Sequence, residues 1–134
     1  ITMDQAIDFI LSSTEESIRS EVFVPKLKAY NILDLVKALE ELLGETKHEI
    51  INSRPGEKLH ELLINKYEIK YTKDLGNKFA ILNPQMFDKN NEAHTEVLNA
   101  YDNFPPASFK EEYSSDAAPL LSTDELKIIL KDYI

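Results

Sequence analysis

A chain of 134 residues is long enough for one folded domain, and its 43% hydrophobic content indicates a globular rather than a disordered protein. The formal net charge of -9 argues against binding to nucleic acid or to an anionic membrane surface. The absence of cysteine excludes a disulfide framework and a thiolate metal site, and is compatible with a cytoplasmic protein.

Two helices and a strand are predicted before Gly44. Thr2 is suited to cap a first helix, which has one apolar stripe. The short β-branched and aromatic run 22–24, stopped by Pro25, predicts a buried strand. Asn31 then caps a second helix that ends at Gly44. The stripe of the first helix consists of Met3, Ala6, Ile7, Ile10 and Leu11.

Residues 47–52 are predicted to form a second strand, which leads directly to Arg54. Strand, helix and strand in this order predict an α/β unit with a parallel pair. Ligand sites in such units gather at the carboxyl ends of the strands, where both Lys26 and Arg54 would fall. On exposure alone, however, Lys26 and Lys28 are more simply interpreted as solvated lysines.

Arg54 begins the segment with the strongest functional signal. Pro55 restricts the backbone of Arg54 to extended conformations, and Gly56 permits a positive φ and the close approach of a ligand. A guanidinium at such a corner suits a phosphate or a carboxylate, and Glu57 could accept from a diol such as that of ribose. The alternative is an ordinary turn whose arginine pairs with a nearby carboxylate. Leu59, Leu62 and Leu63 follow at helical spacing.

The second half of the chain has weaker patterns. Segments 67–71 and 79–82, separated by a turn at 74–77, predict a β-hairpin, and residues 92–101 predict a short helix. Ser122 and Glu125 have capping-box spacing and begin a final helix.

No catalytic or metal site is predicted in the chain. His48, His60 and His94 lack paired metal-ligand spacing, and His60 is more simply exposed than a general base. The three glycines cannot form a dinucleotide fingerprint, and no tyrosine is followed four residues later by lysine. The chain is therefore expected to be catalytically silent by itself.

Three motifs together resemble a known family. They are Glu-Val-Phe-Val-Pro-Lys at 21–26, Ile-Leu-Asp-Leu at 32–35 and Arg-Pro-Gly-Glu-Lys-Leu-His-Glu at 54–61. Their order and spacing resemble the C-terminal part of UDP-N-acetylglucosamine 4,6-dehydratases and related 4-epimerases of polysaccharide biosynthesis, in the extended short-chain dehydrogenase/reductase superfamily. The resemblance covers residues 1–64, with a weaker similarity at 112–126. Asn52-Ser53 departs from the usual Gly-Ile before the arginine.

The resemblance implies an α/β substrate-binding subdomain with short, partly parallel strands and about four helices, lacking the Rossmann domain. It divides the chain into a family-like core at 1–64, a hairpin and variable region at 65–107 and an extension with a final helix at 108–134. Arg54 would hold the diphosphate of a UDP-hexose, Glu57 a ribose or neighbouring hydroxyl, and the segment Val24, Pro25 and Lys26 the nucleotide.

The resemblance also implies a cytoplasmic enzyme of surface polysaccharide or capsule synthesis. We interpret the chain, which begins at Ile1 and has no visible signal peptide or apolar run of ~20 residues, as a fragment. The missing N-terminal Rossmann domain would be its partner and would carry NAD(P), while the chain itself would hold no cofactor. The sequence leaves open whether the protein forms a homo-oligomer. The alternative function is a stand-alone, non-catalytic acidic interaction or ligand-binding domain.

Overall fold

The computed structural model describes residues 1–91 and 94–134, and Glu92 and Ala93 lie outside this description. The described residues form an α/β fold with four α-helices and five short strands, so the predicted fold class is confirmed. The elements are α1 (Met3–Glu16), β1 (Val22–Pro25), α2 (Ile32–Leu43), β2 (Leu62–Ile64), β3 (Thr72–Asp74), β4 (Lys78–Ile81), α3 (His94–Tyr101), β5 (Tyr113–Ser114) and α4 (Thr123–Leu130). No helix within the described ranges is long and apolar enough to cross a membrane.

The chain divides into two compact units, each made of two separate stretches. Unit 1 contains residues 1–27 and 62–113, and unit 2 contains residues 28–61 and 114–134. Hydrophobic periodicity is a local signal and does not reveal such an interleaved division.

Unit 1 is built on a three-stranded antiparallel sheet in the order β1-β4-β3. The central strand, β4, is buried along its whole length. Because successive strand side chains point to opposite faces, β4 supplies two separate apolar clusters. One cluster contains Val24, Ile64, Phe79 and Ile81, and the other contains Ala80, Leu82, Val97 and Tyr101.

The predicted hairpin is present, with its first strand displaced. The turn contains Gly76 at φ 91°, and residues 78–81 form the second strand as expected. The first strand is Thr72–Asp74, whereas Ile69–Tyr71 form a 3-10 turn. The Asn65 side chain accepts hydrogen bonds from the backbone N–H groups of Tyr67 and Glu68, and this closes a turn where a strand was predicted. The predicted helix at 92–101 is observed as α3, although its first two residues lie outside the description.

The start of α1 confirms the prediction, but its apolar stripe is not buried. Thr2 and Gln5 form a capping box. The side chains of Met3, Ile7, Ile10 and Leu11 are exposed. Instead, α1 turns Phe9 and Ser13 toward Lys78, which is buried in β4. Hydrophobic spacing therefore predicted the helix correctly, but the apolar stripe is not the face that contacts the sheet.

Unit 2 contains α2 and α4, which pack against each other. The Asn31 side chain caps α2, and Gly44 ends it at φ 98°. The capping box of Ser122 and Glu125 starts α4. All three signals confirm the predicted helix ends. A parallel bridge joins Ala29 to Leu120 outside the named strands.

Two elements predicted around Arg54 are wrong. Residues 47–52 form no strand, and Ile50 and Ile51 are 86% and 70% exposed. A strand needs a neighbouring strand and a buried face, and two adjacent apolar residues provide neither. Leu62 and Leu63 lie in β2 rather than in a helix. Just before β2, the backbone of Glu61 exchanges hydrogen bonds with Ser115, and this favours an extended chain over a helical turn.

The predicted strand–helix–strand unit with its parallel pair is consequently not formed. The strand β1 pairs with β4 in antiparallel orientation, with Val24 opposite Phe79 and Pro25 opposite Lys78. Lys26 follows the end of a strand as expected, whereas Arg54 does not. The expectation that parallel strand ends bring these two residues to one edge is therefore overturned.

Candidate functional site

Residues 54–57 form a closed turn that fixes the backbone of Arg54. The N–H of Glu57 donates to the carbonyl oxygen of Arg54 at 3.0 Å, and the N–H of Arg54 donates to Oε2 of Glu57 at 2.8 Å. Pro55 and Gly56 occupy the central positions, and Gly56 has φ 87°. Proline followed by a residue with positive φ is the sequence requirement of a type II turn.

The guanidinium of Arg54 is exposed at this turn. Within the described ranges it makes no ion pair and no hydrogen bond with another side chain. The predicted alternative, a pair between Arg54 and a nearby carboxylate, is therefore not what the structure contains. Glu57 contacts the backbone of Arg54 rather than its side chain. The planar donors remain available to two oxygens of one ligand.

The segment 24–26 belongs to unit 1, where β1 is an edge strand of the three-stranded sheet. Val24 is buried, so its side chain is not available to a ligand. An edge strand leaves every second backbone N–H and C=O without a ladder partner. Pro25 has no N–H to donate, which fits its position in such a strand.

Lys26 is paired with Asp74, a residue that the sequence did not identify as part of a site. Its ammonium nitrogen lies 2.6 Å from Oδ1 of Asp74 and 4.6 Å from the centre of the Phe79 ring. The hydrogen bond from Lys26 is the main cause that lowers the pKa of Asp74, and the backbone N–H of Gly76 adds to it. Lys26 and Lys28 are both exposed, as the simpler interpretation predicts, and each also pairs with a carboxylate, Lys28 with Glu125. Forty-eight residues separate the partners, a distance at which no local pattern predicts contact.

The five predicted binding residues thus fall into two groups. Arg54 and Glu57 are brought together in one turn of unit 2. Val24, Pro25 and Lys26 are consecutive at the end of β1 in unit 1. The geometry of each group is defined within its own unit.

Each unit also contains a hollow. In unit 1 a hollow of about 420 Å³ is lined by Tyr67, Tyr71, Asn65, Asn83 and apolar neighbours, and it includes none of the predicted residues. In unit 2 a hollow of about 500 Å³ is lined by Tyr30, His60, Asp116 and Leu120 among others. Hydrogen bonding from Ser114 is the main cause that lowers the pKa of Asp116, and His60 contributes. His60 is exposed, as predicted.

No group of three or more His, Asp or Glu side chains in the described part of the chain is arranged to hold a metal ion.

Comparison with known proteins gives consistent results. Residues 1–83 match the family model described as polysaccharide biosynthesis protein. The chain is 33% identical over 126 residues to UDP-N-acetylglucosamine 4,6-dehydratase (inverting) of Campylobacter jejuni subsp. jejuni serotype O:2, covering 93% of this chain and 36% of that protein. It is 28% identical to UDP-glucose 4-epimerase of Rickettsia akari, covering 100% of this chain and 38% of that protein.

A solved structure shares the fold. The X-ray structure of Pen from Bacillus thuringiensis superimposes with a TM-score of 0.75 at 23% identity, covering 99% of this chain and 36% of that chain. The chain thus spans little more than a third of the length of each of these three proteins.

The family match covers more than half of the chain, including the Arg54 turn and the segment 24–26. The chain belongs to the polysaccharide biosynthesis protein family.

Proposed function

We propose that this chain holds the nucleotide end of a UDP-hexose for a sugar-nucleotide 4,6-dehydratase or 4-epimerase of surface polysaccharide biosynthesis. The observation that carries the proposal is the Arg54 turn, in which the backbone is fixed and the exposed guanidinium has no protein partner within the described residues. The family and the names of the two curated relatives support the substrate class.

In this proposal Arg54 binds the diphosphate through paired N–H donors. Glu57 keeps the turn closed, and its second carboxylate oxygen accepts from a ribose or neighbouring hydroxyl. The outer edge of β1 at Val24 and Pro25 offers backbone groups to the nucleotide. Contacts to the nucleotide, which is far from the reacting carbon of the sugar, contribute to the reaction rate because they orient the sugar.

The residues of this chain do not fit the dinucleotide that such reactions use. Gly44, Gly56 and Gly76 stand singly at a helix end and in two turns, and none forms a Gly-rich loop between a strand and a helix. We therefore assign NAD(P), and the acid and base groups, to a Rossmann domain that acts with this chain in the cytoplasm.

The test is Arg54→Ala in the full-length gene product. A charge-assisted contact is worth about 1.5–3 kcal/mol, so UDP-sugar use should weaken about ten-fold or more. Arg19→Ala is a matched control, because Arg19 is the other arginine of the chain and pairs with Glu96 in unit 1. Unchanged kinetics for Arg54→Ala would remove Arg54 from the site. No binding of any UDP-sugar would favour the acidic, non-catalytic interaction domain instead.

A further inference from the structure

The helix α1 presents four large apolar side chains to solvent on one face. This outer stripe, whose members are between 48% and 71% exposed, consists of Met3, Ile7, Ile10 and Leu11. The first turn of the helix is well defined, because Thr2 and Gln5 form a capping box. Single exposed apolar residues are common on protein surfaces, but several on one face of an ordered helix are typical of a contact surface.

The outer stripe lies away from the sheet of unit 1. Phe9, Ser13 and Glu16 of α1 contact Lys78 of β4. With 3.6 residues per turn, the centre of the outer stripe lies roughly 140° around the helix from these three residues. The sheet therefore holds α1 by its other side and does not cover the outer stripe.

A hollow beside α1 extends the apolar surface to β1. Its volume is about 430 Å³, and its lining includes Ile10, Val22 and Phe23, all of unit 1. Val22 is 58% exposed and belongs to β1, an edge strand of the sheet. An apolar side chain of a partner can therefore enter this hollow while its neighbours cover the outer stripe.

An acidic border runs along one side of the outer stripe. Asp4, Asp8 and Glu15 are exposed, and Asp8 and Glu15 are helix-surface neighbours of Leu11. In the part of the chain that the structure describes, none of these three carboxylates forms an ion pair. A complementary surface is therefore apolar, with Lys or Arg side chains on one side. A second copy of this chain fits poorly, because it would bring another net charge of -9.

One relative is much longer than this chain. The Campylobacter jejuni dehydratase matches 93% of this chain with 36% of its own length, so most of that protein lies outside the matched part. We propose that the outer stripe is the surface on which the Rossmann domain docks, with basic side chains of that domain beside Asp4, Asp8 and Glu15. The inference rests on the proposed function, which assigns the cofactor to such a domain. It does not involve the Arg54 turn, which lies in unit 2.

Hydroxyl-radical footprinting of the full-length gene product tests whether the outer stripe is covered. The labelling of each side chain, read by mass spectrometry, is expressed relative to the same side chain in the urea-unfolded protein. Met3 and Tyr67 are matched probes, because they are 71% and 72% exposed and both belong to unit 1, but only Met3 is in the stripe. We expect Met3 to lose most of its labelling and Tyr67 to keep it. Undiminished labelling of Met3 would overturn the proposal.

A photoreactive residue in the outer stripe identifies the partner. Leu11→p-benzoylphenylalanine in the full-length gene product should form cross-links to peptides of the Rossmann domain in the same molecule. Cross-links between two copies of the present chain would assign the stripe to a dimer contact, and the proposal would be wrong.

Two substitutions test the apolar stripe and its acidic border separately. Ile10→Glu places an unpaired charge in the contact, and Asp8→Lys reverses a charge of the border. Each should increase the labelling of Met3 and split the thermal unfolding of the full-length gene product into two transitions. The effect of Asp8→Lys should shrink at high salt. Ile10→Leu and the off-stripe control Tyr67→Ser should change neither property, and the same behaviour in Ile10→Glu would contradict the proposal.

Binding of UDP separates failure of this inference from failure of the proposed function. If Met3 is fully labelled and UDP binding is lost in Arg54→Ala, the docking surface is wrong and the proposed function stands. If Met3 is protected and cross-links to the Rossmann domain form, but UDP binding does not depend on Arg54, the docking surface stands and the proposed role of Arg54 fails.

Discussion

Arg54 is fixed through its backbone, which leaves its guanidinium free to meet a ligand. The two hydrogen bonds with Glu57 close the turn on both sides. Pro55 and Gly56 supply the two backbone angles that the turn requires. This part of the candidate site could be predicted from the sequence, since every restriction acts between residues at most three positions apart.

Gly56→Ala tests the turn without touching any contact. The added Cβ would meet no atom within 4 Å, so the effect comes from the positive φ alone. A left-handed conformation costs a non-glycine residue about 1–2 kcal/mol. Because the turn is exposed, we expect weaker UDP binding, by about three- to ten-fold, with little change in melting temperature.

Gly44→Ala is the control for this variant, since Gly44 also has a positive φ and open space around it but ends α2. It should lower thermal stability and leave UDP binding unchanged. Full affinity in Gly56→Ala would show that the turn does not position Arg54.

The contact between Lys26 and Asp74 could not be predicted from the sequence. The hairpin turn containing Gly76 was predicted, yet nothing in the sequence connects Asp74 with a lysine on another strand. Their contact depends on both edge strands pairing with β4. Long-range strand pairing is set by the whole sheet rather than by neighbouring residues.

At the scale of elements, helices were predicted better than strands. The N-terminal ends of α1, α2 and α4 each carry a side-chain cap, which is a signal within three residues. The predicted strand at 47–52 has no comparable local signal, because a strand is stable only when it pairs with a neighbouring strand. Residues 44–61 accordingly contain no regular element, and they include the Arg54 turn.

Lys78 connects α1 with β4. Its side chain is 1% exposed, its ammonium lies 3.1 Å from Glu16 of α1, and its aliphatic stem is buried in unit 1. The ammonium also lies 4.7 Å from the centre of the Phe23 ring. These contacts explain how a helix with an exposed apolar stripe is held on the sheet.

Lys78→Ala should therefore lower the free energy of unfolding by about 2–4 kcal/mol, through a cavity and the loss of the ion pair. Lys78→Met fills most of the volume without the charge, so its cost should be less than half as large. Urea denaturation of the two variants measures the difference. Equal losses would assign the stabilisation to the charge and contradict a packing role for the stem.

The start of α4 predicts a specific response to acid. The hydrogen bond from Lys28 is the main cause that lowers the pKa of Glu125 to about 2, and the bonds from Ser122 add to it. Since the folded pKa lies below the ordinary value of 4.5, Glu125 stabilises the fold above pH 4.5. This stabilisation is lost as the pH falls from there toward about 2.

Thermal unfolding of the unmodified chain and of Glu125→Gln, followed from neutral to acidic pH, measures this effect. The difference in stability should be constant near neutrality and shrink across the stated range. A difference that does not change with pH would contradict a charged Glu125 at the helix start.

Because the whole molecule has a net negative charge, an anionic ligand needs a local cationic site to bind. With a net charge of -9, the chain as a whole repels a nucleotide diphosphate. Lys26, Lys28, Lys78 and Lys127 are each engaged by carboxylates within the structure. Arg54 has no such partner among the described residues. Exposed lysines such as Lys58 also form no ion pair within the described residues, so we expect diphosphate binding to depend on Arg54 because its planar guanidinium can bind two oxygens at once.

The chain corresponds to only part of the length of its relatives. Relatives that are named as a dehydratase and an epimerase align with this chain over little more than a third of their own length. In our proposal the chain binds the nucleotide end of the substrate, and the hydride chemistry is assigned to a Rossmann domain.

The most direct test is an NMR titration that follows the Arg54 side-chain Nε–H signal. We predict a progressive shift of this signal on addition of UDP and no comparable shift on addition of uridine, because the guanidinium meets the diphosphate. The corresponding Arg19 signal should stay in place with both ligands. An Arg54 signal that does not shift at saturating UDP, or that shifts equally with UDP and with uridine, would contradict the account.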